Sequence, residues 1–186
     1  MNAAKIIDFV RYVVKGYTLH HRDLRVSVIE PAGSIERIVS IAGNPADKVR
    51  LVGKKGKNFK ALTGLLNLFA KRNSVRIRLL HLELEPVPPG DRYAKFEVRA
   101  GWPVESLRTL AGSLANACLE TRAVMVNIEP LTKADSLVTI RLTPQTGAQA
   151  DLQAFREAAE VLLGANAAAM GQRITLVIAD DLRFGT

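Results

Sequence analysis

The sequence predicts an α+β protein made of two small units joined by a short linker. Helical and strand periodicities alternate along the 186 residues, residues 86–91 hold three prolines and a glycine, and the net charge changes at the same place. Neither a regular helix nor a central strand can continue through such a proline-rich segment. Residues 1–90 carry 16 basic and 7 acidic side chains (net +9), whereas residues 91–186 carry 10 and 11 (net −1). We therefore expect one domain at 1–85, a linker at 86–91 and a second domain at 92–186.

The first unit is predicted to have the element order α-β-β-α-α-β. Apolar residues recur every three or four positions in its helices, and β-branched residues concentrate in its strands. Asn44 followed by Pro45 is typical of a helix start, and Gly53 follows the end of that short helix. The predicted elements span residues 3–17, 24–30, 35–41, 44–52, 57–71 and 75–82.

The second unit is predicted to have the order β-α-β-β-α-β, the split pattern of a ferredoxin-like fold. Because the predicted orders and the charges of the two units differ, we do not expect them to be sequence repeats. The third predicted strand of this unit, residues 136–142, has no aromatic side chain on which a base could stack. We therefore expect this unit to serve assembly or to pack against the first unit. Its predicted elements span residues 93–99, 104–118, 123–128, 137–142, 152–162 and 174–178.

The composition argues against several classes of protein. A single cysteine, Cys118, excludes internal disulfides and multi-cysteine metal sites, and three histidines argue against a zinc enzyme. No apolar run approaches the roughly 18 residues of a membrane span, and the N-terminal segment is amphipathic rather than signal-like. We expect a cytoplasmic protein with no cofactor and no membrane partner. The uneven basic surplus favours nucleic acid as the partner over an anionic membrane surface or a basic surface that serves solubility alone.

The tetrapeptide Gly53-Lys54-Lys55-Gly56 lies between two predicted helices. By itself a G-x-x-G pattern is weak, because about one is expected by chance among 13 glycines in 186 positions. Its context is more specific, since apolar residues flank the basic turn on both sides. Glycines at both ends let the backbone turn sharply and approach a sugar–phosphate chain. The helix that follows directs its N–H groups and the positive end of its dipole toward an anion.

Residues 3–83 resemble a KH domain of the type II arrangement, and in particular the small bacterial single-KH RNA-binding proteins. The resemblance rests on the segment from Leu51 to Leu62 and on the α-β-β-α-α-β order around it. It implies that Gly53 to Gly56 clamp the backbone of about four unpaired nucleotides. It also implies that Val49 and Val52 line the groove that receives the bases. Many relatives have a third glycine where Lys55 stands, so the resemblance implies a somewhat stiffer loop here.

Basic residues surround this loop. Ten basic side chains and one acid, Asp47, lie between positions 44 and 78. Like charges crowded at a helix N-terminus oppose the helix dipole and therefore suggest a bound anion. The predicted RNA-binding residues are Gly53, Lys54, Lys55, Gly56, Lys57, Lys60, Val49, Val52, Arg50 and Arg76.

These observations predict a non-catalytic protein that binds single-stranded RNA through its first unit. The second unit would offer a surface for a homodimer or for another protein partner. An alternative hypothesis is a protein–protein adaptor whose KH-like domain no longer binds nucleic acid. An enzyme is the least favoured hypothesis, because the sequence shows no Ser/His/Asp set, no paired-carboxylate pocket and no Walker loop.

Overall fold

The computed structural model describes residues 2–84, 104–132, 135–144 and 149–180, and it consists of helices and two three-stranded sheets. The predicted linker at 86–91 and the predicted strand at 93–99 lie outside the described residues. The first stretch contains α1 (Ala3–Lys15), β1 (Arg25–Ile29), β2 (Glu36–Gly43), α2 (Lys48–Val52), α3 (Lys57–Arg72) and β3 (Arg76–Leu84). The later stretches contain α4 (Val104–Cys118), β4 (Thr121–Pro130), β5 (Asp135–Pro144), α5 (Gln149–Ala169) and β6 (Arg173–Asp180).

The first unit has the predicted order α-β-β-α-α-β. Its sheet has the strand order β1-β2-β3, in which β1 is antiparallel and β3 parallel to β2. The chain crosses from β2 to β3 through α2 and α3, as a parallel connection requires. The predicted cap is confirmed, because the Asn44 side chain accepts a hydrogen bond from the N–H of Ala46. The rings of Phe9 on α1 and Phe69 on α3 stack with centroids 4.4 Å apart.

The second unit is also α+β, as predicted, but its described strands differ from a ferredoxin-like sheet. In the split pattern another strand lies between the two parallel strands that a helix connects. Here β5 and β6 pair directly and in parallel, and β4 pairs antiparallel with the other side of β5. The crossover through α5 therefore places β6 beside β5 itself. Within the described residues, the element orders of the two units differ only by α2.

The helices of the two units pack against each other and share one apolar core. Two contacts show that helices α3 and α5 run antiparallel. Gly64 lies against Ala158, and Lys71 further along α3 forms an ion pair of 2.7 Å with Asp151 further back on α5. The Arg72 side chain donates a hydrogen bond to the carbonyl oxygen of Leu119, and the Cys118 Sγ lies 3.6 Å from the carbonyl oxygen of Leu65. Buried residues from all four long helices belong to a single hydrophobic cluster.

None of the described helices is both long enough and apolar enough to cross a bilayer.

The contact between the units predicts that Cys118 is protected from thiol reagents. Burial raises the pKa of the Cys118 thiol to about 12, although the nearby Arg72 guanidinium acts in the opposite direction. The thiol therefore stays protonated and unreactive at pH 8, because the thiolate is the nucleophile. We expect an aromatic disulfide reagent to react at least roughly a hundredfold more slowly with the folded chain than with the chain in denaturant. Rapid reaction of the folded chain would show that the two units separate readily.

Candidate nucleic-acid interface

The turn between α2 and α3 requires glycine at its first position. Gly53 has φ 73° and ψ 170°, a backbone conformation that is essentially restricted to glycine. A Cβ atom added there would lie 2.6 Å from Cγ and 2.8 Å from the main-chain nitrogen of Asn58. No real Cβ tolerates such distances, and the main-chain atom cannot move without displacing the start of α3. Gly53 therefore fixes how the chain leaves α2 and enters the turn.

The remaining residues of the turn include two left-handed positions in succession. Lys55 has φ 55° and ψ 30°, and Gly56 has φ 76° and ψ 15°. A left-handed conformation costs a residue with a side chain about 1–2 kcal/mol. Glycine at position 55 would meet no such penalty. No described atom lies within 4 Å of a Cβ added at Gly56. Glycine is therefore favoured there by the left-handed backbone conformation and not by a close contact.

Asn58 holds the two sides of the turn together. Its Nδ2 donates a hydrogen bond of 2.6 Å to the carbonyl oxygen of Arg50, which joins the first turn of α3 to α2. The turn is also closed by a main-chain hydrogen bond from Gly56 to Gly53. The sequence interpretation did not single out Asn58. The available signal was a short amide side chain directly after the G-x-x-G pattern, where it can reach a main-chain carbonyl.

Four lysines are exposed at this turn and at the start of α3. Lys54, Lys55, Lys57 and Lys60 are all exposed, and no described acidic side chain pairs with them. The first turn of α3 contains no acidic residue. The positive end of the helix dipole and four like charges thus occupy one small surface, and this arrangement favours binding of an anion.

The structure places an apolar side chain beside these lysines. Val49 on α2 is 78% exposed, although neighbouring Leu51 is buried. Val52 and Arg50 are half-buried. The two valines that the resemblance assigns to the base-binding groove therefore lie on the helix that leads into the turn, and Val49 is free to contact an apolar ring surface.

The single acid of the region supports the backbone instead of neutralising the lysines. Asp47 is buried, and its two carboxylate oxygens accept hydrogen bonds from the N–H groups of Leu19 (2.7 Å) and His20 (2.9 Å). This contact attaches the segment after α1 to the base of α2. It positions α2 for the turn, and the sequence interpretation noted Asp47 only as an isolated acid.

Arg76 does not join the other predicted site residues. It begins β3 and pairs in register with Glu36, the first residue of β2, whereas the G-x-x-G turn follows the opposite end of β2. It lines a separate open cleft of about 490 Å³ together with Lys71 and Arg78. Arg78 pairs with Glu36 at 3.4 Å and Lys71 pairs with Asp151. The helix α3 separates Arg76 from the turn, and its rise of about 1.5 Å per residue gives a distance of about 20 Å.

The two glycines of the turn should respond differently to alanine. We expect Gly53→Ala to destabilise the chain by about 2–3 kcal/mol, because both the backbone conformation and the contact with Asn58 oppose a Cβ. Gly56→Ala should cost only about 1 kcal/mol for its left-handed conformation. Thermal unfolding followed by circular dichroism measures both, with about 2–4 °C lost per kcal/mol. Equal losses for the two variants would contradict the proposed close contact at Gly53.

Part of the chain is similar to a known protein, although the sequence as a whole matches no described family. No protein-family model matches the sequence. Over 76 residues the chain is 29% identical to a protein from Chlamydia pneumoniae named RNA-binding protein KhpA. The matched segment is 41% of this chain and 95% of the relative. The chain thus contains a segment similar to nearly the whole of a small RNA-binding protein, together with a larger remainder that this relative does not share.

Proposed function

We propose that this protein is a non-catalytic binder of single-stranded RNA and that the G-x-x-G turn from Gly53 to Gly56 is its contact with the RNA backbone. Residues 1–85 would form a KH-like domain and residues 92–186 a second domain. The observation that carries the proposal is a glycine-dependent turn at the N-terminus of α3 that presents four exposed lysines. The RNA-binding relative supports the substrate class. The expected setting is the cytoplasm, as the single cysteine suggests.

In the proposed binding mode, the lysines contact the phosphates and a neighbouring apolar surface contacts the bases. Lys54, Lys55, Lys57 and Lys60 would neutralise phosphates, and the start of α3 would add its dipole to the same anions. Val49 and Val52 would contact the bases that follow the clamped backbone. If three or four phosphates are neutralised, affinity should fall with salt on a log–log slope of about −2 to −3. Arg76 would contribute only to strands long enough to reach its cleft.

Reversing the charge of the turn should abolish RNA binding without unfolding the chain. We expect Lys54→Asp combined with Lys55→Asp to remove saturable binding of a single-stranded oligoribonucleotide in a filter-binding titration. The melting temperature should stay nearly unchanged because both side chains are exposed, and aspartate tolerates the left-handed conformation at position 55.

The matched control makes the same change in net charge away from the turn. Lys5→Asp combined with Arg141→Asp replaces one exposed cation on α1 and one on β5. This control should retain binding. If both double variants weaken binding equally, the lysines of the turn act only through net charge. If the unaltered chain shows no saturable binding at moderate salt, the adaptor hypothesis replaces the RNA-binding one.

A single substitution at the start of α3 should separate stability from binding. We expect Lys57→Glu to stabilise the free protein by about 0.3–1 kcal/mol, because an acid in the first turn interacts favourably with the helix dipole. The same change should weaken RNA binding and reduce the salt slope by about 0.7. Denaturant unfolding and salt-dependent titrations give the two quantities.

Lys5→Glu is the control for this experiment. Lys5 lies in the first turn of α1, which also lacks an acid, and it lines a hollow with Phe69, Arg72 and Asn73 at the far end of α3. The Lys5→Glu substitution should stabilise the chain to a similar degree and leave RNA affinity unchanged. A loss of stability in Lys57→Glu would contradict the electrostatic account of this site.

A further inference from the structure

Apart from α2, the two units have the same topology within the described residues. In each, a helix is followed by two antiparallel strands, a long helix and a third strand that lies parallel to the second, and the strand orders are β1-β2-β3 and β4-β5-β6. The registers correspond as well. Glu36 opens β2 opposite Arg76, and Asp135 opens β5 opposite Arg173. In both units an arginine of the third strand pairs with this acid, Arg78 at 3.4 Å and Arg173 at 2.9 Å.

The turn after the long helix is also the same in both units. Ser74 has φ 54° and Gly171 has φ 72°, each two residues before the third strand begins. The hydrogen-bond pattern repeats at a constant distance of 97 positions along the chain. In the first unit the N–H groups of Asn73, Ser74 and Val75 donate to the carbonyl oxygens of Ala70, Lys71 and Ala70, respectively. In the second unit the N–H groups of Met170, Gly171 and Gln172 donate to those of Ala167, Ala168 and Ala167.

The same spacing of 97 positions aligns the sequences of the long helix and the third strand. Identical residues occupy equivalent positions, and the helix positions among them are buried in both units. The pairs are Ala61 and Ala158, Leu65 and Leu162, Leu66 and Leu163, Ala70 and Ala167, Arg76 and Arg173, Ile77 and Ile174, and Leu79 and Leu176.

The second unit has no room for an RNA-binding turn of the kind seen in the first. Thirteen residues, 44–56, connect β2 to α3 and contain α2 and the G-x-x-G turn, whereas only four residues, 145–148, connect β5 to α5. Residues 145–148 are Gln-Thr-Gly-Ala, which contain neither a G-x-x-G pattern nor a charged side chain. The repeated unit therefore keeps the packing elements and lacks the charged loop.

The contacts between the units follow an approximate twofold relation. The equivalent helices α3 and α5 cross antiparallel, and a Cβ added at Gly64 would lie 3.6 Å from the Cβ of Ala158. Gly16, just after α1, lies against Asn166 of α5, and Leu119, just after α4, accepts a hydrogen bond from Arg72 of α3. The end of each unit's first helix thus lies against the long helix of the other unit, as a twofold axis requires.

We propose that residues 104–180 are a second, loop-free copy of the first unit's topology and that this copy is the in-chain partner that covers the helical face of the RNA-binding unit. Apolar residues of α3 are buried in one cluster with those of α4 and α5, as the close approaches of Gly64 to Ala158 and of Cys118 to Leu65 show. The chain then presents a single G-x-x-G turn and acts as a monomer, with its two sheets facing outward. This inference does not depend on RNA being the ligand.

A cysteine pair across the helix crossing tests this proposal on the full-length chain. Gly64→Cys with Ala158→Cys, in a Cys118→Ala background, places two Cβ atoms at about the 3.5–4.5 Å that a disulfide needs. We expect mild oxidation to join them within one chain, which non-reducing electrophoresis, light scattering and peptide mass spectrometry would show. Gly64→Cys with Glu160→Cys is the matched control, because Glu160 is exposed on another side of α5, and it should stay reduced.

The outcomes separate this proposal from the RNA-binding proposal. A disulfide between two chains, or none at all, would overturn the in-chain pairing. The oxidised chain should bind single-stranded RNA within about twofold of the reduced chain, with one strand per chain. A large loss of affinity on oxidation alone would show that the second unit must move away, which also contradicts its role as a fixed partner. If neither form binds RNA, the RNA-binding proposal fails while the disulfide result stands.

Discussion

The main-chain conformation at Gly53 determines where α3 begins and what its N-terminus faces. A side chain at this position would collide with Asn58, so glycine is the residue that forms this turn without strain. Asn58 then ties α3 back to α2 through the carbonyl oxygen of Arg50. With the turn fixed in this way, Lys54, Lys55 and Lys57 extend from one short segment whose shape does not depend on a ligand. A preformed site of this kind loses little conformational freedom when it binds.

The charge distribution of the molecule follows from this local arrangement. Asp47, the one acid close to the turn, is buried and uses both carboxylate oxygens to hold the segment after α1. It therefore positions α2 without standing between the lysines and an approaching phosphate. The cations at the far end of α3 differ in character, because Lys71 and Arg78 have acidic partners within the protein. Among the residues that the structure describes, the cluster at the turn is the one that combines exposed lysines, a helix N-terminus and an exposed valine.

The position of α3 is fixed by the second unit as well as by the turn at its start. The helix begins at the turn, and its side packs against α5 and α4. The proposed nucleic-acid interface and the contact between the units therefore share one helix. Small residues at the crossing, Gly64 and Ala158, let the two helices approach closely. The turn between α2 and α3 takes no part in this crossing, so the second unit can pack in the same way without an equivalent of that turn.

The sequence alone predicted the described helices and strands and singled out the turn as a candidate site. Periodicity located the helices and strands, and the G-x-x-G pattern with its lysines identified the turn, because these signals are local. Only the tertiary structure decided that β5 pairs directly with β6, that Arg76 lies at the opposite end of the sheet from the turn, and that Asn58 and Asp47 support the site. It also showed that the two units share a strand order and strand directions, although few residues are identical between them. Strand neighbours and helix crossings depend on contacts between distant residues, and no local pattern encodes them.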